Sequence, residues 1–243
     1  MNADATIPFG LALNAYFEGE SDVEFIPRRD DGVESSVLVK HFFQSESEFN
    51  SIERTAIEQC HGHVLDIGAG IGLHSLALEA RGLTVTAIDI NPKAADIMRR
   101  RGVRNSRQAD VCKYRGGPFD TLYMIGHENG IIEDLKGLGK FLAHAKELVQ
   151  PEGQLILDSL DVSRSKVSTD IAYHEMNRRA GRYIGEIVMQ FEFRDSRGPF
   201  CPWLHINLGT LEEYAGEAGW SFETLLEIEN GEYLTRLQKI RAV

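Results

Sequence analysis

The chain has 243 residues, 42% hydrophobic and 26% charged, long enough to bury a substantial core in one domain of ordinary size. Its 26 basic and 37 acidic residues leave a net charge of −11, which argues against a nucleic-acid partner, because phosphate binding needs clustered Lys and Arg. No apolar run approaches membrane-spanning length and the N-terminus lacks a secretory pattern. Cys60, Cys112 and Cys201 show no metal-ligand spacing, so a cytoplasmic protein with no membrane and no metal requirement is expected.

The first forty residues are weakly patterned, with charged, turn-rich stretches at 18–22 and 28–32, and read as loops with a short helix. Ser45 followed by Glu48 resembles a capping box, and Phe49, Ile52, Ala56 and Ile57 then recur at helical spacing towards Cys60. Beyond Cys60 the pattern alternates. Apolar runs at 64–67, 84–88, 119–125 and 154–158, and a short one before Asp110, read as strands. Helical patterns separate them. One spans 72–80 and stops before Gly82; one starts at Asn91-Pro92 and runs towards Gly102. A long amphipathic one carries Leu135, Leu138, Phe141, Leu142, Ala145 and Leu148 as far as Pro151. Such alternation predicts an α/β fold, a doubly wound and mostly parallel sheet with helices on both faces.

Residues 160–208 are surplus to that plan. A helix at 168–180, a long strand at 183–193, the turn Asp195-Ser196-Arg197-Gly198 and a partner strand near 203–206 predict an inserted antiparallel β-hairpin. At the C-terminal edge of the sheet it would form a lid or substrate wall carrying Tyr173, Tyr183, Trp203 and His205; an extension of the sheet or a subunit contact is the alternative. The tail reads as a helix capped by Thr210 and ended by Gly219, then a hairpin around Asn230-Gly231. One domain over 1–243 is expected: an N-terminal extension (1–60), a core (61–159), the insertion (160–208), and a final helix and hairpin (209–243).

The chemistry concentrates at the strand ends. The run His63-Val64-Leu65-Asp66-Ile67-Gly68-Ala69-Gly70-Ile71-Gly72-Leu73 is a strand, a glycine turn and the start of a helix, so a ligand can approach the backbone closely. About 20 residues on, Asp89 ends the second strand, where a doubly wound fold places the carboxylate that holds a ribose diol. A dinucleotide fingerprint needs a small residue where this chain has Leu73, and the extra glycine falls at Gly72 instead.

Gly-x-Gly-x-Gly preceded by Asp66, followed in order by Asp89, Asp110-Val111 and the strands at 119–126 and 153–159, resembles the class I S-adenosylmethionine-dependent methyltransferases. The resemblance covers roughly residues 60 to 160, plus a weaker tail beyond 208, and implies a Rossmann-like, seven-stranded, mostly parallel sheet with S-adenosylmethionine as cofactor. It implies cofactor-binding roles for Asp66, Gly68, Ala69, Gly70, Gly72, His74, Asp89, Ile90, Asp110, Val111, Ile125 and Gly126. Asp66 would face the methionine ammonium, Asp89 the ribose, and Asp110 with Val111 the adenine. The segment after the fourth strand, Ile125-Gly126-His127-Glu128-Asn129-Gly130, lacks the proline motif usual in enzymes that methylate base or glutamine amino groups. His127 and His205 are the candidate general bases, since an imidazole works near neutrality. Methyl transfer to a small-molecule O or N acceptor is expected. A non-catalytic adenosyl-binding or partner-regulating module on the same fold, or a nicotinamide-dependent oxidoreductase, is the alternative. The oligomeric state and the acceptor's identity are not legible.

Overall fold

A computed structural model describes residues 2–126 and 128–240. A 3-10 turn, Ala3–Thr6, opens the chain and runs into α1 (Ile7–Phe17), with Pro8 in its first turn, where no amide partner is needed. The strands β1 (Glu24–Arg29) and β2 (Val37–Leu38) follow, then a 3-10 turn at Val39–Phe43. The Ser45/Glu48 box does form, but it closes a separate 3-10 turn, Glu46–Glu48. Helix α2 (Ser51–Gln59) has its own reciprocal box between Asn50 and Glu53. The next elements are β3 (His63–Ile67), α3 (Leu73–Ala80), β4 (Thr84–Asp89), α4 (Pro92–Arg101) and β5 (Ser106–Gln108). They give way to β6 (Phe119–Met124), α5 (Leu135–Leu148) and β7 (Val149–Leu160). Strand β7 begins earlier than the run at 154–158 implied, because Pro151 and Gly153 fall where the pairing with β6 shifts register and need no ladder partner.

The insertion supplies α6 (Ser168–Arg179), β8 (Glu186–Phe193), β9 (Ser196–Arg197) and β10 (Cys201–Leu204). Helix α7 (Leu208–Glu217) is capped by Asn207, whose side chain accepts from the Thr210 amide, so Thr210 lies inside the helix and does not cap it. The chain closes with β11 (Trp220–Glu227) and β12 (Glu232–Lys239).

Seven strands form the main sheet in the order β11-β12-β7-β6-β3-β4-β5. The pairings are parallel except those of β12, which runs against β7 and β11. Successive residues of β3 serve opposite faces: Leu65 and Ile67 pack with Leu138, Phe141 and Leu142 of α5, and Val64 packs with α2 and α3. From β3 the chain moves outward to β4 and β5, then returns to place β6 on the other side. Ligands of open α/β sheets bind at the crevice such a reversal opens.

A second sheet differs from the expectation. The inserted hairpin does not stand alone: β8 pairs on one side with β10 and on the other with β1, and β2 extends the edge, all antiparallel. The first forty residues thus hold the expected short helix, but also two strands in place of the expected loops. Pro27 and the charges at Arg28 and Arg29 disguise β1, whose partner residues such as Phe191 are far along the chain. No helix among the described residues is long and apolar enough to cross a membrane.

The two layers meet through Asn91. Its side-chain oxygen caps α4, accepting from the amides of Lys93 (2.9 Å) and Ala94 (3.2 Å), while its amide nitrogen donates to the Thr6 carbonyl at 2.5 Å. Helix α1 comes this close because Gly10 has no side chain; a Cβ there would lie 2.3 Å from the Asn91 oxygen. Replacing Asn91 with Ala should lower stability by about 1–3 kcal/mol, a lost cap plus a lost buried hydrogen bond. Asn91→Asp keeps the capping oxygen but sets a buried carboxylate oxygen against the Thr6 carbonyl, so it should be destabilised at least as much as Asn91→Ala, read as the urea midpoint at unchanged slope.

Candidate active site

The second sheet lies over the C-terminal edge of the first and encloses a cavity of 670 Å³ between them. Its floor is made of the glycine turn after β3, the ends of β4 and β6, and the residues after β5. Its roof carries Phe25 and Pro27 from β1, Ile187, Met189 and Phe191 from β8, and Trp203 from β10. These positions alternate along each strand, so one face of the small sheet is turned to the cavity. Phe9 of α1 and Phe42 close the end, their ring centroids 5.1 Å apart. No Lys or Arg is among the described lining residues, whereas Glu53, Asp89 and Asp110 are.

The turn is shaped by hydrogen bonds to β4. The amides of Gly68 and Ala69 both donate to the Ile88 carbonyl, at 2.9 and 3.0 Å, and the Gly70 amide donates to Asp89 Oδ2 at 2.9 Å. Gly72 has a left-handed backbone (φ 79°) at the N-cap of α3, and a Cβ there would meet Val103 at 2.5 Å. Asp89 Oδ1 accepts the Asn91 amide at 2.7 Å. Both oxygens thus hold one backbone donor and keep a second lone pair for a ligand. The residue is half-buried, with its carboxylate on the cavity wall. Burial pushes its pKa up to about 6, against the pull of the Asn91 and Gly70 amides and with a smaller push from Asp66.

Asp66 lies beneath the wall. It is 2% exposed, is not among the lining residues, and accepts a short hydrogen bond from Ser75 Oγ at 2.5 Å. Burial raises its pKa against the charge of His74 and the hydrogen bonds from Ser75. Gly72 likewise stays outside the lining, while Gly68, Ala69, Gly70, His74, Asp89, Ile90, Asp110, Val111, Ile125, Gly126 and His205 are on it. Asp110 caps the turn Val111–Lys113 through the Cys112 amide (3.0 Å) and pairs with Lys113 at 2.9 Å. The Gly126 amide donates to the buried Asp158 at 3.1 Å, which fixes the chain as it leaves β6. His127 lies outside the described residues.

Of the aromatic residues expected on the insertion, Trp203 reaches the cavity. It packs on Gly130, where a Cβ would come within 2.2 Å of the indole, and its ring meets Phe191 edge-on. Tyr173 and Tyr183 serve the scaffold. The Tyr173 hydroxyl donates to Asp30 at 2.7 Å and accepts the Val188 amide, and the Tyr183 hydroxyl accepts the Asn207 amide at 2.9 Å. Sequence reasoning did not reach Glu53, Gln44 or the aromatic residues of the N-terminal segment. Glu53 had a signal as the third residue of a capping box, but that pattern speaks of a helix start and not of a ligand.

Comparison with known proteins agrees with this geometry. The family model described as a methyltransferase domain matches residues 65–157. An S-adenosylmethionine-dependent methyltransferase from Bacteroides fragilis, solved with S-adenosyl-L-homocysteine, is 30% identical, with a TM-score of 0.85 over 99% of this chain and 97% of that one. The chain belongs to the class I S-adenosylmethionine-dependent methyltransferases, and S-adenosylmethionine is its cofactor. Two curated relatives match over shorter stretches. A 23S rRNA (uracil(747)-C(5))-methyltransferase of Pyrococcus horikoshii is 30% identical over 121 residues, 49% of this chain and 29% of its own length. A ubiquinone biosynthesis O-methyltransferase of Xanthomonas euvesicatoria is 27% identical over 115 residues, 44% of this chain and 46% of its own length. The chain thus spans less than half the length of either curated relative.

The cavity suits that cofactor: its charged lining residues are acidic, and a sulfonium and an ammonium are cations. Ribose hydroxyls donate, so for the ribose role that the sequence leads one to expect of Asp89, its ionised form would be the one able to accept from both. With a pKa of about 6 in the free protein, Asp89 in that role would have to lose a proton before binding at lower pH. Affinity for S-adenosylhomocysteine should be flat above pH ~7 and fall roughly tenfold per unit below ~6. Asp89→Ala should weaken binding by about 1.5–3 kcal/mol at neutral pH and flatten that profile in calorimetric titrations from pH ~5 to ~8.

Proposed function

We propose that the protein transfers the cofactor's methyl group to an oxygen or nitrogen of a small, uncharged, ring-bearing acceptor held against the roof. The observation that carries this reading is the roof itself. An aromatic and aliphatic face, with Phe25, Phe191 and Trp203 at its centre, closes directly over the glycine turn. The cavity lies within the roughly 300–1,000 Å³ usual for small-molecule sites, and such sites are mainly apolar with a few placed polar groups. A nucleic-acid acceptor is poorly supported, since the described lining offers acids and no Lys or Arg. The same lining disfavours acceptors carrying phosphate or carboxylate. The O-methyltransferase among the relatives is compatible with this reading.

In the proposed arrangement the ribose diol meets Asp89, and the adenine lies between Ile90, Val111 and Asp110. The Gly68-Ala69-Gly70 turn and His74 border the methionine end, with Ile125 and Gly126 near the sulfonium and Asp66 supporting the turn from below. S-adenosylmethionine supplies an electrophilic methyl, and in-line displacement asks mainly for alignment and exclusion of water. Positioning of that kind can account for roughly 7–11 kcal/mol of barrier. Where the acceptor arrives protonated, His205, which lines the cavity two residues beyond Trp203, can take the proton.

A matched acceptor panel tests the reading. Phenols and aromatic amines should be turned over, and the same rings bearing a carboxylate or phosphate should not. Trp203→Ala should raise the acceptor KM by about tenfold or more, with S-adenosylhomocysteine affinity within about twofold of wild type. His205→Ala should lower kcat by about 100-fold for phenols and much less for neutral amines. Joint loss of cofactor affinity and thermal stability in Trp203→Ala would assign the hairpin to the scaffold instead.

A further inference from the structure

Asp66 is the acid of the glycine motif, yet it is buried under the cavity wall and its Oδ2 is taken by Ser75. The cationic end of the cofactor calls for acceptor oxygens that face the cavity, and a carboxylate is the strongest of these. We propose that Glu53, on the helix ahead of the motif, binds the α-ammonium of the cofactor's methionine moiety, with His74 and Gln44 holding it in place, and that Asp66 only supports the turn.

Three observations place Glu53 there. It lines the cavity, with its side chain 13% exposed. His74 Nε2 approaches Glu53 Oε1 at 3.1 Å, and His74 lies in the first turn of α3, directly after the glycines; this tie brings α2 to the motif. Gln44 Nε2 donates to Oε1 at 3.0 Å with a longer arm to Oε2, and the Asn50 amide donates to Oε2 at 2.8 Å. A carboxylate offers about four acceptor sites, so these fixed donors orient it and leave capacity for one more.

The charge state fits the role. Burial pushes the Glu53 carboxyl up, but hydrogen bonds from His74 and the Asn50 amide, the His74 charge and the Gln44 hydrogen bond outweigh it and keep it below the usual carboxylate range. Glu53 is therefore an anion at neutral pH, and a charged acceptor binds an ammonium about twice as strongly as a neutral one would. The ring of His74 is wedged edge-on against Phe49 (5.2 Å) and Tyr123 (5.5 Å), so its partner is held rather than floating.

The test separates this role from the part Glu53 plays as a helix cap. Gln at the same position can still close the capping box with Asn50, so Glu53→Gln removes the charge and keeps the helix start. Calorimetry is run with S-adenosylhomocysteine and with 5′-methylthioadenosine, which lacks the amino-acid end. The variant should lose roughly ten- to a hundredfold for S-adenosylhomocysteine and stay within about twofold for 5′-methylthioadenosine. In the wild-type protein a deaminated S-adenosylhomocysteine should bind weaker by a similar factor, and Glu53→Gln should add nothing to that loss. Unchanged S-adenosylhomocysteine affinity, equal losses for both ligands, or a full further loss with the deaminated ligand would each overturn the assignment. The readout is cofactor binding alone and does not depend on which acceptor the enzyme uses.

Discussion

The two backbone amides that Asp89 holds are the constraint on which the rest of the molecule depends. One comes from Gly70 in the turn after β3 and the other from Asn91 at the start of α4, so a single carboxylate sets the spacing of two loops. Asn91 then passes the constraint on, because its side chain reaches Thr6 and seats α1. Through α1 and its contact with β8, the roof is registered on the floor. The cost is visible in the raised pKa of Asp89: the carboxylate is kept where water solvates it poorly. A perturbed acid in a cleft is a common mark of a binding site, and here the geometry gives the reason for it.

The floor was legible in the sequence because its signals are local. The apolar runs of β3, β4, β6 and β7 alternate with helices at the period that βαβ units require, and the glycines and Asp89 stand at strand ends where the fold places its ligand. The roof was only half legible. The run 183–193, with apolar Ile184, Val188, Phe191 and Phe193, announces a strand, but its neighbour β1 contains Pro27 and ends in Arg28 and Arg29, so nothing local marks it as sheet. Pairing across more than half the chain leaves no trace in a sliding window. Tyr173 and Tyr183 were misplaced for a related reason. Strand and helix patterns reveal which side chains share a face, and not which hydroxyl will find Asp30 or the Asn207 amide.

Glu53 shows a different limit. Its sequence context is fully explained by capping, and the capping is real. Nothing in the pattern says that the same carboxylate also faces His74 across the start of α3, since that depends on how α2 packs on the sheet. One side chain can satisfy a local rule and a distant one together, and only the packed structure shows the second.

The division of labour between the two sheets follows from the alternation of β8. Its odd-numbered residues, Ile187, Met189 and Phe191, face the cavity. The even ones are bound to the frame: the Val188 amide to the Tyr173 hydroxyl, Gln190 to the Gly198 carbonyl at 2.7 Å, and Glu192 to Arg28 at 2.6 Å. Changing a cavity-facing residue alters the wall without touching those ties, while a one-residue slip in register would exchange the two sets. These ties, of which the Arg28–Glu192 pair is charged, therefore do more than fill the frame. They hold the register that keeps an apolar wall over the cofactor edge, and so allow the proposed acceptor surface to vary while the Asp89 floor stays fixed.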